Sequence, residues 1–229
     1  MSSSQRLLKL ANGFTMPQMG LGTLFLKDAK AIEHAITKVG YRHIDTASIT
    51  MNEKEVGIAV NNAIATGGLT RDELFVTTKI WHNQYSDPEA ALKKSLAAMK
   101  LDAVDMYVIH WPNNHFSKPQ VPMHMLWQDM ERLIDLGLTH SIGLSNFNTQ
   151  LTADLLTYAR HKPVYNQVQM NPYNTQTDAV AFMLAHGVTP VASSPLGRMG
   201  SKMGPKGATT VTDEPIIKEI AAKHGKSPV

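Results

Sequence analysis

Asp45, Lys79 and His110 each stand at the end of a short run rich in apolar residues, a pattern typical of a buried strand. The carboxyl ends of the strands of a parallel barrel meet at its mouth, so we expect the three residues to share one site. A buried Lys beside an Asp keeps its charge, and a nearby His donates a hydrogen bond to a substrate oxygen. This set suits a reaction in which a carbonyl oxygen gains negative charge. For any one of the residues alone, a structural ion pair or a core histidine is the plainer interpretation.

The segments that would position these residues alternate between strand and helix patterns. An N-terminal hairpin is expected around Asn12 and Gly13, a strong turn dipeptide, and a first barrel strand ends near Gly22 and Thr23. The other predicted strands cover 41–45, 74–79, 104–110, 141–144, 164–169 and 189–192. The predicted helices cover 28–38, 52–65, 125–136, 149–159, 178–185 and 213–223, and one more opens at Asp87.

Seven strand-then-helix units imply a parallel sheet with helical crossovers. The predicted fold is α/β, a (β/α)₈ TIM barrel with an N-terminal β-hairpin, in one domain over residues 1–229. Such a barrel usually needs about 250 residues, and the sequence stops where an eighth strand and helix would follow. We therefore suspect truncation or a further segment. An open doubly wound sheet is the alternative.

Composition limits the class of protein. The net charge of +3 suits an anionic cofactor but is too small and dispersed to indicate nucleic acid. The absence of cysteine excludes disulfides and thiolate chemistry and favours a reducing compartment. No signal peptide and no membrane span is recognisable, so a cytoplasmic protein without membrane partners is expected. The histidines show no metal-ligand spacing, and a monomer is the default expectation.

With these elements in place, the chain resembles the aldo-keto reductases over essentially its whole length. The matching motifs lie at 16–23, 40–47, 52–57, 75–81, 105–112, 143–147, 166–169 and 194–197. The resemblance implies a barrel that binds an extended nicotinamide dinucleotide, usually NADPH, with NADH not excluded. The lack of a Gly-x-Gly-x-x-Gly motif after a strand agrees with a cofactor site that is not a Rossmann fold.

The resemblance also assigns roles to residues. The family transfers hydride to an aldehyde or ketone while an Asp, Tyr, Lys and His tetrad handles the proton, and Asp45, Lys79 and His110 match three of its members. Trp81 and Trp111 are expected to line the substrate mouth together with His110, although rim packing is their alternative role. The residues expected to contact the cofactor are Gly22, Thr23, Asp45, Ser145, Asn146, Gln167, Ser193, Ser194, Leu196 and Arg198.

Within that cofactor set, Ser145, Asn146 and Gln167 match the residues that hold the nicotinamide carboxamide, and their amide and hydroxyl groups suit it. The pair Ser194 and Leu196 matches a loop over the pyrophosphate. The next candidate, Arg198, pairs with a phosphate or is a solvated loop charge. The Gly-rich stretch 202–206 is either a loop that folds over the cofactor or a segment without that role.

The pattern departs from the family in three places. Thr50 occupies the position of the tyrosine acid, five residues after Asp45, and an aliphatic hydroxyl is a much poorer proton donor than a phenol. Ser193 replaces an aromatic residue expected to stack on the nicotinamide. The expected clamp for the adenosine phosphate, after an eighth strand, has no counterpart in the sequence. Tyr85 is a candidate replacement for the phenol, with a partly exposed loop aromatic as its default role.

Three functions remain open on the sequence alone. The first is an NADPH-dependent carbonyl reductase of reduced or altered activity, in which a water held by Thr50 or His110 supplies the proton and Lys79 stabilises the oxyanion. The second is a non-catalytic barrel that binds dinucleotide or a protein partner. The third is a truncated fragment without a function of its own.

Overall fold

A seven-stranded parallel sheet with helical crossovers is the frame of the protein. The computed structural model describes residues 6–113, 119–197 and 210–228. The strands are β1 (Leu7–Lys9), β2 (Thr15–Pro17), β3 (Gly20–Gly22), β4 (His43–Asp45), β5 (Phe75–Ile80), β6 (Val104–Ile109), β7 (Thr139–Ser145), β8 (Tyr165–Gln169) and β9 (Thr189–Ser193). The α-helices are α1 (Ala29–His34), α2 (Glu53–Ala65), α3 (Pro88–Met99), α4 (Met123–Asp135), α5 (Thr149–Tyr158), α6 (Thr177–Ala185) and α7 (Pro215–Lys223).

Strands β3 to β9 pair in chain order, and every neighbouring pair is parallel. The sheet curves into a nearly closed barrel with its helices outside, so the prediction of a TIM-barrel α/β fold with an N-terminal hairpin is confirmed. The doubly wound alternative is wrong, because such sheets reverse their strand order at a switch point and this one does not.

Alternate residues of each strand face two different apolar layers. On β5, Val76 and Ile80 pack outward in the larger core between sheet and helices. Phe75, on the other face, packs in the barrel interior with Met106 and Val108 of β6. The residues that continue this inward face toward the carboxyl ends of the strands are therefore the ones that reach the mouth.

The hairpin β1–β2 covers the opposite end of the barrel. Leu10 and Met16 are buried against Phe75 in the interior core. Asn12 Nδ2 donates to Ser141 Oγ at 2.8 Å, and the ring of Phe14 stacks on His140 with centroids 5.5 Å apart. Because these contacts close the amino ends of the strands, the carboxyl ends remain as the open end.

The helix predicted over 28–38 differs in its second half. It ends as an α-helix at His34 and continues as a π-turn over Ala35–Val39. Both backbone N–H groups that follow, those of Gly40 and Tyr41, bond to the Ala35 carbonyl at 3.0 Å. Gly40 has φ of +96°, which only glycine adopts readily and which turns the chain into β4. No helix in the described segments is both long and apolar enough to cross a membrane.

Candidate active site

Asp45 and Lys79 meet at the carboxyl ends of β4 and β5. The Lys79 side chain is only 4 % exposed, and its ammonium donates to Asp45 Oδ1 and to the Thr46 carbonyl, the latter at 2.9 Å. The second carboxylate oxygen, Asp45 Oδ2, accepts from Gln167 Nε2 at 3.0 Å. A charged pair from neighbouring strands is thus joined to an amide from β8 across the barrel mouth.

His110 lies beside this pair at the end of β6. Burial lowers its pKa to about 4, and the charge of Lys79 adds to that effect while Asp45 opposes it. The imidazole is therefore neutral at pH 7. Its ring meets Trp81 edge to face, with centroids 5.0 Å apart. Its Nδ1 atom is buried without a hydrogen-bond partner among the residues described.

Thr50 closes a short 3₁₀ turn, and its hydroxyl faces other protein atoms. The Thr50 Oγ1 atom lies 2.5 Å from both the Ala47 carbonyl and Asn52 Oδ1, and 3.0 Å from Thr46 Oγ1. A hydroxyl has a single proton, and those two close partners are acceptors, so the proton of Thr50 is directed into this network. In the described part of the chain, no hydrogen bond joins Thr50 to Lys79.

Asn52, at the N-cap of α2, is fully buried and uses all of its side-chain hydrogen-bonding groups. Its Nδ2 donates to the carbonyls of Thr23 and Leu26 at 2.7 and 2.8 Å, while its Oδ1 accepts from Thr46 and Thr50. The loop after β3 is thereby tied to the loop after β4. Sequence reasoning placed Asn52 within a motif but assigned it no role. Its position beside two threonines was the available signal.

Three polar residues at the ends of β7 and β8 form a connected cluster. Ser145 Oγ donates to the Gln167 carbonyl at 2.9 Å, and Asn146 Nδ2 donates to Ser145 Oγ at 3.1 Å. Asn146 Nδ2 also lies 2.8 Å from the His110 carbonyl. Asn146 has φ of +63°, a conformation that Asn tolerates better than most residues. Because the side chain of Gln167 also donates to Asp45, this cluster is connected to the Asp45–Lys79 pair.

Gly22 and Thr23 support the backbone of Asp45. Gly22 lies opposite Asp45 in the β3–β4 register, and both the backbone N–H and the hydroxyl of Thr23 donate to the Asp45 carbonyl at 3.0 Å.

Trp81 is half-buried beside His110, whereas Trp111 is 43 % exposed. The two indoles therefore differ in exposure, one packed within the site and one open to solvent.

The remaining predicted cofactor residues lie at the end of β9. Ser193 pairs with Gln169 in the sheet, Ser194 has φ of +50°, and Leu196 is exposed. Among the described contacts, none joins these three to the Asp45–Lys79 pair. The predicted phosphate partner Arg198 and the stretch 202–206 lie outside the described residues.

Tyr85 is buried rather than a partly exposed loop residue, so that expectation is wrong. Its hydroxyl donates to the Trp111 carbonyl at 2.6 Å. Burial raises the pKa of the phenol well above its usual value, and the bond to Trp111 offsets this only in part. The phenol thus ties the loop after β5 to the loop after β6.

Beneath Asp45, the barrel interior contains a polar layer that sequence reasoning missed. His43 Nε2 lies 3.0 Å from Thr77 Oγ1, and burial lowers the pKa of His43. Among the described residues, the buried Tyr165 hydroxyl has no partner at hydrogen-bond geometry. Burial raises the pKa of this phenol, and the nearby Thr77 opposes that increase. A Cβ at Gly143 would lie 3.1 Å from the Tyr165 ring, and one at Gly20 would lie 2.9 Å from His43. The two glycines therefore make room for the two rings.

In the described ranges, no group of three or more His, Asp or Glu side chains is placed to hold a metal ion. The arrangement consists of an ion pair, a neutral imidazole and a set of amides, groups that are able to polarise and orient a polar ligand.

Known proteins similar to this chain come from one family. A sequence model of the Aldo/keto reductase family matches residues 15–229. The chain is 35 % identical to an NADP-dependent D-sorbitol-6-phosphate dehydrogenase of Malus domestica, over 95 % of this chain and 77 % of that protein. It is 36 % identical to an aldose reductase of Encephalitozoon cuniculi, over 96 % and 77 %. A crystal structure of a Bombyx mori aldo-keto reductase in complex with NADP superposes with a TM-score of 0.90 at 36 % identity, covering 98 % of this chain and 77 % of that one.

Proposed function

Because the chain belongs to the aldo-keto reductase family, we propose that it is an NADPH-dependent oxidoreductase that reduces an aldehyde or ketone to an alcohol. The observation that carries this proposal is the hydrogen-bonded set of Lys79, Asp45 and Gln167 beside the neutral ring of His110. The Malus domestica relative and the Bombyx mori structure support NADP as the cofactor through their own names. A small carbonyl compound is the proposed substrate, and a cytoplasmic monomer is the proposed state.

The amide cluster suits a nicotinamide carboxamide, which needs both a donor and an acceptor. Gln167 uses one amide proton on Asp45, and Asn146 uses its amide protons on Ser145 and His110. Among the described hydrogen bonds, none involves the side-chain oxygens of Asn146 and Gln167, and the second Gln167 amide proton is also unused. Two acceptors and one donor therefore remain for such a ligand.

When bound, the reduced nicotinamide supplies the hydride. The chain's own residues polarise the carbonyl: the ammonium of Lys79, held by Asp45, stabilises the negative charge that develops on oxygen. His110 is neutral and has one N–H. We assign that proton to Nε2, because a proton on Nδ1 would be a buried donor without a partner. Nε2–H then hydrogen-bonds the same oxygen.

Fluorescence titration with NADPH and NADH tests cofactor binding, and oxidation of NADPH with small aldehydes tests turnover. We expect the variant Gln167→Ala to bind NADPH about tenfold more weakly, since it loses an amide contact to the cofactor worth about 1.4 kcal/mol. The exposed Gln150→Ala is the matched control. A folded wild-type protein without NADPH binding contradicts the proposal.

A binding-only barrel is the second candidate, and one observation favours it. The Thr50 hydroxyl, in the place of the family's acid, is directed to Ala47 and Asn52. NADPH binding without any turnover across a panel of aldehydes and ketones would support this candidate over the first.

A further inference from the structure

Reduction of a carbonyl consumes one proton for every hydride, and the obvious hydroxyls of this site cannot supply it. The source of that proton is a question that rests on the proposed function. Thr50 directs its proton to protein acceptors at 2.5 Å, and Tyr85 donates to the Trp111 carbonyl. Both hydroxyl protons are therefore held by the protein rather than directed at a substrate.

His110 is also unsuited to give a proton. With a pKa of about 4 it is a neutral imidazole at physiological pH. Transfer of its one N–H proton would leave an imidazolate anion in a mostly buried position, which burial strongly disfavours. The imidazole therefore orients and polarises the oxygen through a hydrogen bond that keeps its proton.

Among the described side chains of the site that could give a proton directly to the oxygen, Lys79 remains. An ammonium has three protons, and two of them are donated to Asp45 Oδ1 and to the Thr46 carbonyl. The third proton has no acceptor in the part of the chain that the structure describes. We propose that Lys79 is the general acid of this protein, and that its third Nζ proton passes to the substrate oxygen as hydride reaches the carbonyl carbon.

The step balances in atoms and electrons. The hydride forms a new C–H bond, the π electrons of the C=O bond move to oxygen, and oxygen takes the proton as the Lys79 N–H bond breaks. The electron pair of that N–H bond stays on nitrogen. An alkoxide is a far stronger base than an amine, so the transfer is favourable. The neutral amine keeps two N–H groups for Asp45 and Thr46 and regains its third proton from solvent.

Several titratable groups surround this ammonium. Asp45 and His43 face it from β4, His110 faces it from the end of β6, and Tyr165 on β8 interacts with Asp45. Both histidines have a lowered pKa and are neutral, and the phenol is protonated. Of these four groups, Asp45 is the charged one.

Lys79→Arg is the first test, because Arg keeps the charge and several donors but does not release a proton in proteins. We expect Lys79→Arg to bind NADPH within about threefold of wild type and to turn over about 10² to 10⁴ times more slowly. A Lys79→Arg protein that melts cooperatively and reduces aldehydes as fast as wild type would overturn the inference. In that case only the charge of residue 79 would matter.

A second test guards against misplacement of the larger guanidinium. The chain contains no cysteine, so Lys79→Cys introduces a unique thiol that can be alkylated in urea before refolding. Bromoethylamine restores a primary ammonium with sulfur in place of one methylene, whereas bromoethyltrimethylammonium installs a charge without a proton. We expect turnover to return at least about 10²-fold with the first reagent and not with the second. Equal turnover of both products contradicts the inference.

A measurement independent of turnover is the ¹⁵N resonance of the ammonium group, assigned by its loss in Lys79→Arg. Benzamide is an unreactive carbonyl compound, and with NADPH present it should shift the Lys79 signal and leave that of Lys93, an exposed lysine paired with Glu89, unchanged. Bound benzamide that does not move the Lys79 signal overturns the inference. A wild-type protein without turnover overturns the proposed function as well, whereas an active Lys79→Arg overturns only the role of Lys79 as the acid.

Discussion

In the proposed reaction, the source of the proton depends on which polar side chains of the site have a proton that no protein acceptor holds. Lys79 has one ammonium proton beyond those held by Asp45 and Thr46, whereas the single proton of Thr50 is directed to Ala47 or Asn52. A phenol at position 50 would change this balance, because its pKa near 10 makes it a much better acid than an aliphatic hydroxyl.

Thr50→Tyr should therefore accelerate carbonyl reduction by about 10²-fold, the lower end of what general acid catalysis contributes. The measurement is the turnover number for NADPH oxidation with a small aldehyde. Thr50→Phe is the matched control, since it adds the same ring without the hydroxyl. Equal rates for the two variants would show that the ring, and not the acid, is responsible.

His110 gives a prediction for stability against pH. Its pKa is lowered to about 4 in the folded protein and is about 6.5 when unfolded, so the unfolded chain binds a proton first as the pH falls. Above pH 6.5 this group leaves stability unchanged, and between pH 6.5 and 4 it lowers stability progressively. His110→Gln should lose less stability over that window, measured by urea midpoints. His186→Gln, at an exposed histidine, should follow the wild type.

Part of this site was predictable at the level of single residues. Three charged or ionisable residues at successive strand ends indicated that Asp45 and Lys79 meet, and the structure joins them. The Thr46 carbonyl, which holds the same ammonium, was not predictable because a backbone atom carries no signal in residue type. The direction of the Thr50 hydroxyl was equally hidden, since it depends on the orientation of the Asn52 amide.

At the scale of elements, hydrogen bonds between loops position the site together with the strands. Asn52 joins the loop after β3 to the loop after β4 through four hydrogen bonds. The two groups that accept hydrogen bonds from Asn52 are the backbone carbonyls of Thr23 and Leu26. Backbone carbonyls need a hydrogen-bond partner where they are buried.

Asn52→Ala should lower the free energy of unfolding by about 2 to 4 kcal/mol, because it removes four hydrogen bonds of a fully buried side chain and leaves the Leu26 carbonyl without its described partner. Denaturation in urea measures the effect. Asn62→Ala is the control, since Asn62 is exposed and its amide contacts only Glu33 in the described structure. If both variants lost the same free energy of unfolding, the buried hydrogen bonds of Asn52 would contribute no more to stability than the exposed hydrogen bond of Asn62.

The contact of α2 with α3 depends on a glycine. A Cβ at Gly57 would lie 2.3 Å from the Met99 carbonyl oxygen, far inside contact distance. Gly57→Ala should therefore destabilise the protein by about 1 to 3 kcal/mol despite the better helix propensity of Ala. Lys54→Ala, at an exposed position of the same helix, should change stability by less than about 0.5 kcal/mol. A Gly57→Ala protein as stable as wild type in urea denaturation would contradict this close approach of the two helices.

The periodicity of apolar residues predicted the bounds of the strands and helices to within a few residues, because one face of each element is apolar. The π-turn over Ala35–Val39 was not predictable, since its apolar spacing is compatible with an ordinary helix. The polar layer of His43, Thr77 and Tyr165 was also missed. Residues that alternate inward on different strands become neighbours only once the barrel is formed.

At the scale of the whole molecule, the alternation of strands and helices predicted a parallel sheet and favoured the barrel over an open doubly wound sheet. The hairpin β1–β2 was predicted from one turn dipeptide, but its position was not. The hairpin contacts Ser141 and His140 at the start of β7. These residues lie more than a hundred positions from the hairpin in the sequence, so the contacts could not be predicted from local patterns.

The double variant Asn12→Ala, Phe14→Ala should remove these contacts and lower the free energy of unfolding by about 1 to 2 kcal/mol. NADPH affinity should stay within about twofold of wild type, because the hairpin and the proposed cofactor site lie at opposite ends of the barrel. Urea denaturation and fluorescence titration measure the two quantities. A large loss of affinity would show that the two ends are coupled.

A barrel sealed at one end has a kinetic consequence. A ligand held by Gln167 and Asn146, near the ends of β8 and β7, has to enter and leave through the same opening of the barrel as the carbonyl compound. We expect the proposed dinucleotide to bind first and leave last, so its oxidised form should inhibit competitively against its reduced form, and the alcohol should not.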